Sequence, residues 1–314
     1  MLIKEALLWG WKNLQTQEPH LDATADSERL LEFVLKTDKT HLYLNLDKSL
    51  GTRQKVRYQS LIKKRAKLYP LAYLLGEVGF YNLTLKITPG VFVPRPETEL
   101  LVEEILKILK DDKNNLICEI PGSPLNKKIQ RSPGMTSLSS NTISIAEIGI
   151  GSGAIAVTLL HNAANKISNY YANDLSFKAR RNAAANARQH KVNKKLKIIA
   201  GKDVGCLAKY NCPILIANPP YVPYKKYQQS PTVQAEPWRA ITDKNDGLDF
   251  FRRLLIDLKN SNYYPELIAL EFDEDTTAAL LKVLKPLLKK YSYKIYKDWQ
   301  GLDRFLILST KKSK

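Results

Sequence analysis

The sequence predicts an α/β fold, a mostly parallel, doubly wound sheet preceded by a small helical domain. Three observations predict it. From Ser144 onward, short apolar runs alternate with amphipathic stretches in a strand–helix rhythm. A glycine-rich turn, Gly149 to Gly153, follows the first of these strands and opens a helix. Finally, Pro219 and Pro220 stop the apolar run Ile214-Leu215-Ile216-Ala217. Each proline lacks an N–H and fixes φ, so a rigid loop with free carbonyls follows the strand. The C-terminal edge of an open α/β sheet is where ligands bind.

The elements follow in order. Over residues 1–75, Ile3, Leu7, Trp11 and Leu14 recur at helical spacing. Thr24, Asp26 and Ser27 offer caps before Leu30, Leu31, Val34 and Leu35. A basic helix is expected over 53–69, stopped by Pro70. Residues 76–93 read as a β-hairpin linker: Phe80 to Ile87 alternates, and Pro89-Gly90 marks a turn. Pro94-Arg95-Pro96-Glu97-Thr98-Glu99 then opens a helix that begins the main domain, 94–314. Residues 111–142, rich in Pro, Ser, Asn and Lys, read as a mobile insertion with no site. Strands are expected at 144–149, 169–174, 196–201, 212–217, 267–273, 291–297 and 304–309. Helices are expected near 153–163, 176–189, 247–260 and 275–289. Two strands in succession at the end suggest an antiparallel hairpin.

A chain of 314 residues suits about two domains, and 44% apolar residues suffice for a real core. No apolar run approaches the ~20 residues needed to cross a bilayer. The start, Met1-Leu2-Ile3-Lys4-Glu5, lacks a signal-peptide pattern. Cys118, Cys206 and Cys212 are not at CxxC spacing and no histidine pair accompanies them. Neither a structural metal nor a disulfide framework is expected, and a reducing compartment fits. The formal charge of +18, with pI near 9.6, favours nucleic acid, a ribonucleoprotein surface or an acidic protein as partner. Part of the excess is local: Arg53, Lys55, Arg57, Lys63, Lys64, Arg65 and Lys67 occur between Gly51 and Tyr69 with no acid among them. This stretch reads as a solvated helix face or as a docking surface.

Glu147-Ile148-Gly149-Ile150-Gly151-Ser152-Gly153 lets the backbone turn sharply and approach a ligand without a Cβ in the way. Asp174 ends the next strand, where a carboxylate accepts both ribose hydroxyls. Gly149, Gly151 and Ala154 also satisfy the dinucleotide fingerprint, so this half fits NAD as well as other nucleoside cofactors. Asn218-Pro219-Pro220-Tyr221 separates the two readings. The Asn218 side-chain carbonyl beside the Pro219 backbone carbonyl is a pair of acceptors for a planar –NH2 group, with Tyr221 as an aromatic wall. A dehydrogenase has no need of it; a methyltransferase acting on an –NH2 group does. The donor is then S-adenosyl-L-methionine, whose methyl group is already activated. Such an enzyme needs in-line placement of a lone pair rather than strong acid–base chemistry. Two carbonyls accepting the amide hydrogens orient the nitrogen and favour the charge developing on it.

With these pieces in place, the chain resembles the HemK/PrmC family, protein-(glutamine-N5) methyltransferases that modify peptide-chain release factors. The matching pieces run in order: Pro70-Leu-Ala-Tyr73-Leu-Leu-Gly76 with Phe80, Phe92-Val93-Pro94-Arg95-Pro96-Glu97-Thr98-Glu99, the Glu147–Gly153 loop and Asn173-Asp174. Asn218-Pro219-Pro220-Tyr221, Ala235-Glu236-Pro237-Trp238 and Asp246-Gly247-Leu248 complete them. The resemblance implies a Rossmann-like class I methyltransferase sheet, a helical domain that grips the release factor, and the glutamine of its Gly-Gly-Gln loop as substrate. By the same resemblance, Glu147, Gly149, Ile150, Gly151, Ser152 and Gly153 line the methionine and ribose parts of the cofactor. Asp174 holds the ribose, Asp203 or Val204 lies by the adenine, and Asn218 borders the donor. Asn218, Pro219 and Pro220 bind the glutamine amide, with Tyr221 and Phe92 as walls. Glu147 stands where the family more often has Asp, and Leu270-Glu271-Phe272-Asp273 lacks the family's glycine, so that strand is given no role.

Three alternatives remain open at this stage. An adenine-N6 methyltransferase of DNA or RNA uses the same kind of loop and suits the charge. A ribosomal-protein glutamine methyltransferase is related, though its members tend to replace the Pro-Glu-Thr kept here. A non-catalytic ribosome- or RNA-binding protein is the third. The partner expected is a release factor, with no membrane, no required nucleic acid and a monomeric enzyme. The high pI and Lys/Asn-rich composition point to a mitochondrial matrix enzyme, with bacterial cytoplasm as the alternative.

Overall fold

The computed structural model describes residues 1–15, 22–110 and 142–311. Residues 111–141 of the expected insertion, Cys118 among them, lie outside the described residues. The N-terminal region is helical: α1 (Ile3–Gln15), α2 (Ala23–Leu35), α3 (Lys39–Leu44), α4 (Thr52–Arg65) and α5 (Leu71–Leu75). Its core is Ile3, Leu14, Leu30, Leu31, Tyr58 and Ile62, the apolar faces of α1, α2 and α4. Asp22 caps α2 by accepting the Ala25 N–H at 2.9 Å. The basic helix α4 ends one turn before its expected stop. Tyr69 precedes proline, a position that disfavours helix, and Leu68 turns left-handed at φ 61°. Arg65 also departs from the expected basic face, because its Nε donates to Asp26 at 2.6 Å and it is half-buried.

The linker is the hairpin β1 (Glu77–Phe80) and β2 (Leu83–Lys86), but its turn is Tyr81-Asn82 rather than Pro89-Gly90. A two-residue hairpin turn needs positive φ, and Tyr81 takes φ 56°. Asn82 and Asn162 exchange side-chain amide hydrogen bonds of 2.9 and 3.0 Å, which hold that turn on the main domain. Pro89-Gly90 instead reverses the chain after β2, with the Val91 N–H donating to the Thr88 carbonyl.

The main domain runs α6 (Glu97–Lys110), β3 (Ile143–Ile148), α7 (Ala154–Asn162), β4 (Ile167–Asp174), α8 (Phe177–Gln189), β5 (Leu196–Ala200) and α9 (Gly205–Ala208). It continues β6 (Ile214–Ala217), α10 (Tyr224–Gln228), α11 (Asp249–Ser261), β7 (Leu267–Glu271), α12 (Thr277–Leu284), β8 (Tyr291–Lys297) and β9 (Asp303–Thr310). All seven expected strands form one sheet in the order β5-β4-β3-β6-β7-β9-β8, parallel except for β9. The last helix expected, 275–289, is shorter because Pro286 cannot continue it. Sheet side chains alternate between two cores. Ile145, Ile216, Ala269 and Ile307 pack under α6, α7 and α8. Ala146, Leu215, Ile268 and Leu308 pack under α9, α11 and α12. The chain winds outward from β3 through β4 to β5, then returns to lay β6 on the other side of β3. That reversal puts the loops after β3 and β6 side by side at a topological switch point.

Candidate active site

The first half of the site is sewn by backbone. Gly149 and Ile150 N–H groups donate to the Asn173 carbonyl at 3.0 and 2.9 Å, and the Gly151 N–H donates to Asp174 Oδ2 at 2.9 Å. Fully buried Asn173 also sends its Nδ2 to the Asp203 carbonyl at 3.0 Å and the Cys206 sulfur at 2.8 Å. With its Oδ1 accepting the Gly149 N–H at 3.2 Å, this one side chain ties the end of β4 to the loops after β3 and β5. Gly153 has φ 84°, and a Cβ there would lie 3.1 Å from the Ala183 Cβ, so glycine alone lets α7 start against α8. At the loop's apex, a Cβ on Gly151 would meet nothing within 4 Å. That open space beside Asp174 fits a ligand carrying a ribose. The Asp174 carboxylate also accepts the Ser176 N–H at 2.8 Å. Burial pushes its pKa up, while those two N–H groups oppose the rise.

The remaining residues expected on this side sit differently. Ile150 and Val204 turn their side chains into the two cores, so they offer a ligand only backbone. Asp203 is half-buried and holds Asn173 by its carbonyl. Ser152 is buried, its carbonyl taken by Asn186 Nδ2 at 2.8 Å. Glu147 is buried and accepts the Tyr170 hydroxyl at 2.8 Å. Burial raises its pKa to about 8, against the Tyr170 bond, with the nearby Asp174 charge adding to the rise.

The second half is sewn by side chains. Asn218, just after β6, donates through Nδ2 to Thr98 Oγ1 at 3.1 Å, which leaves its Oδ1 to accept from another donor. The Tyr221 hydroxyl donates to Glu271 Oε1 at 2.6 Å. Glu236 is buried and accepts both the Val93 N–H at 2.9 Å and Arg95 Nη2 at 2.6 Å. It therefore clips the Pro-Arg-Pro segment to the loop after β6. Arg95 lies 4.8 Å over the Phe92 ring. Phe92, Arg95, Asn218, Pro219, Tyr221 and Lys226 line a cavity of about 160 Å³. Lys226 binds Asp273, Glu274 and Asp275 at 2.9, 2.9 and 3.1 Å. Burial works against its charge, and these hydrogen bonds outweigh it and raise its pKa. The loop closes at Gly247, where a Cβ would stand 2.1 Å from the Tyr221 carbonyl oxygen.

The two halves touch. A Cβ on Gly149 would lie 4.0 Å from the Asn218 carbonyl oxygen. A second cleft, of about 380 Å³, runs from Arg29 and Arg65 of the helical region to Arg95 and Glu236. Sequence reasoning gave no role to Thr98, Asn173, Asn182, Asn186, Glu236 or Glu271. For three of them there was a signal. Asn182 and Asn186 are an i, i+4 polar pair on a helix otherwise rich in alanine. Both are buried, and their side chains bind the Lys86 backbone. Glu271 ends a strand whose other four residues are apolar and buried.

A glycine-turned β3–α7 loop, an acid ending β4 and an Asn-Pro-Pro-Tyr loop ending β6, on this sheet, mark the class: an α/β methyltransferase. The catalytic domain of hMettl16 bound to a MAT2A 3′UTR hairpin shares the fold, with TM-score 0.53 at 13% identity over 83% of each chain. The PrmC N-terminal domain family matches residues 5–76. A release factor glutamine methyltransferase of Coxiella burnetii is 30% identical over 285 residues, 90% of this chain and 90% of that protein. That of Moorella thermoacetica is 30% identical over 92% of this chain and 90% of the relative, and that of Dictyoglomus turgidum 28% over 97% of each. The chain belongs to the release factor glutamine methyltransferase family.

Proposed function

We propose that this enzyme transfers a methyl group from S-adenosylmethionine to the side-chain amide nitrogen of the glutamine in the Gly-Gly-Gln loop of peptide-chain release factors. The observation that carries this is the juxtaposition of the two loops, with the Asn218 backbone carbonyl 4.0 Å from the Cβ position of Gly149. S-adenosylmethionine supplies an electrophilic methyl group. The protein's part is to bind and orient. Gly149, Gly151 and Gly153 let the backbone pass close to the donor, and Asp174 accepts the ribose hydroxyls. Glu147, Ile150, Ser152, Asp203 and Val204 shape the same loops from behind. Asn218 Oδ1 and the Pro219 carbonyl accept the two amide hydrogens, so that the nitrogen lone pair faces the methyl carbon. Pro220 stiffens the loop, and Tyr221 and Phe92 wall the cavity and exclude water.

In this reading the helical region, residues 1–75, docks the release factor, and the cleft from Arg29 to Glu236 leads its loop to the cavity. The family relatives cover nearly all of the chain, which supports a protein substrate over adenine. The enzyme acts as a monomer. No helix among the described residues is long and apolar enough to cross a membrane. The relatives reported are bacterial and lend no support to the matrix reading, which imaging of the tagged chain in its own cells tests. For the activity, the protein is incubated with labelled S-adenosylmethionine and purified release factors. Label on the Gly-Gly-Gln glutamine, located by mass mapping, is the expected result. Label in DNA or RNA, or none in a release factor, overturns it.

A further inference from the structure

Asn218 can serve as an acceptor only if its amide is turned the right way. Rotated by half a turn, it would point an –NH2 group at the substrate's own –NH2. Its polarity is set by what it meets on the other side, the Thr98 hydroxyl at 3.1 Å. That hydroxyl has one proton to give and lone pairs to receive. If Thr98 gives its proton elsewhere, only its lone pairs face Asn218, and Nδ2 must turn toward it.

Glu271 is the acceptor placed to take that proton. A hydrogen bond from the Thr98 hydroxyl to the Glu271 carboxyl favours the charged form. Tyr221 donates to Oε1 at 2.6 Å, and Oε2 has no hydrogen-bond partner among the described residues. Glu271 is 1% exposed, so water does not compete. As an ionised carboxylate it can only accept, which obliges Tyr221 and Thr98 both to donate. We propose that Glu271 is a positioning residue that acts through Thr98 to fix the orientation of the Asn218 amide, and through Tyr221 to fix the cavity wall. This rests on the methyl-transfer reading above.

The charged and titratable groups around Glu271 come from three elements. Glu97, on α6 beside Thr98, disfavours its ionisation, and Arg304, on β9, favours it. Tyr221 donates to it from the loop after β6. Arg304 is shared with Glu274 and Asp298 at 2.6 and 2.7 Å. Burial dominates and lifts the Glu271 pKa to about 7, with the Tyr221 and Thr98 contacts opposing the rise. Protonated, Glu271 can donate to Thr98, which can then donate to Asn218 Oδ1 and reverse the amide.

Glu271→Gln builds the reversed polarity permanently at nearly the same volume, since Nε2 is a donor. It should lower kcat roughly 10- to 100-fold, less than the loss expected for removing an acceptor outright. S-adenosylmethionine affinity and the KM for release factor should stay within about two-fold. The wild-type kcat should fall as pH drops through about 7, and this limb should vanish in the Gln variant. Thr98→Val, which keeps shape and loses the hydroxyl, should lower kcat similarly, and Thr98→Ser should restore it; this pair decides the matter if the Gln variant does not fold. A Gln variant with wild-type kcat, or with lowered kcat and an unchanged pH limb, overturns the proposal. Equal activity of the Val and Ser variants does the same. Failure of the function reading looks different, because wild type itself would then leave release factor unlabelled.

Discussion

The two edges of the candidate site are built by opposite means. The cofactor edge is held by main-chain groups: Gly149, Ile150 and Gly151 N–H groups answer Asn173 and Asp174. The acceptor edge is held by side chains: Asn218 to Thr98, Tyr221 to Glu271, and Arg95 to Glu236. A backbone cradle carries fixed dipoles, and Asp174 is the titratable side chain that the Gly151 N–H meets there. A side-chain network containing a buried carboxylate is adjustable, and one atom of difference can reverse it. Binding of the donor should therefore withstand side-chain changes that ruin transfer.

The largest effect expected is at the acceptor edge. Asn218→Ala should cut kcat by roughly 10²–10³, about 3 kcal/mol, with donor affinity unchanged; isothermal calorimetry beside single-turnover rates separates the two. If donor affinity fell as far as kcat, the edges would not be independent. Asp174→Ala should do the converse, weakening S-adenosylmethionine binding 10- to 100-fold by loss of charged hydrogen bonds while kcat at saturating donor holds. Tight binding of NAD by wild type, against no binding of S-adenosylmethionine, would sink the assignment of that edge.

Gly247→Ala comes next. Its φ of 82° and the 2.1 Å approach to the Tyr221 carbonyl leave no room for a methyl group. A left-handed residue with a Cβ costs about 1–2 kcal/mol before the clash is counted. A lowered melting temperature with a raised release-factor KM is expected, and an unchanged KM would show that the loop relaxes without moving Tyr221. Neutralising the exposed Arg53, Lys55, Lys63, Lys64 and Lys67 together touches neither edge. It should raise the release-factor KM several-fold at low salt and little at high salt, where exposed charges are screened within ~8–10 Å. A salt-independent change would point to packing instead.

The smallest effect is on stability. Burial raises Glu147 to about 8 and Glu271 to about 7, above the ordinary 4.5. Above pH 4.5 the unfolded chain has released protons that the folded chain still holds. Stability from these two groups is therefore present at low pH and declines as pH rises toward about 8. Denaturant midpoints of wild type and Glu271→Gln should differ more at pH 8 than at pH 5.5, so the acceptor edge works best where its carboxylate stabilises the fold least.

Much of this was legible in the sequence because it rests on local chemistry. Apolar runs, Gly149–Gly153, Asp174 and Asn218–Tyr221 announce themselves by residue type and spacing. What escaped was long-range. Thr98 meets Asn218 across 120 residues, and Glu236 meets Val93 across 143. Arg65 looked like one charge of a basic face until the fold brought Asp26 beside it. The hairpin lies within the stretch the alternation marks but turns at Tyr81, whose positive φ has no signal in its residue type, while Pro89-Gly90 carries the familiar turn signal. Glu271 stands in a stretch that lacks the family's glycine and so takes no role from the resemblance; its burial and the Tyr221 hydrogen bond give it a place.

The position of β9 has a consequence for how the protein is made. This strand follows all the others in the chain yet lies inside the sheet, between β7 and β8. Until it arrives, the edge of β7, with Leu267 to Leu270 buried in the finished protein, is open to any passing strand. The 39 residues from Phe272 to Thr310 take roughly 2–8 s to synthesise at 5–20 residues per second. For those seconds the nascent chain carries an unprotected sticky edge beside an N-terminal helical region already able to close its own core. A chain stopped at Lys290 should therefore aggregate through the unfinished sheet while residues 1–75 resist protease; a soluble, protease-resistant product of that length would mean that the edge is sheltered some other way.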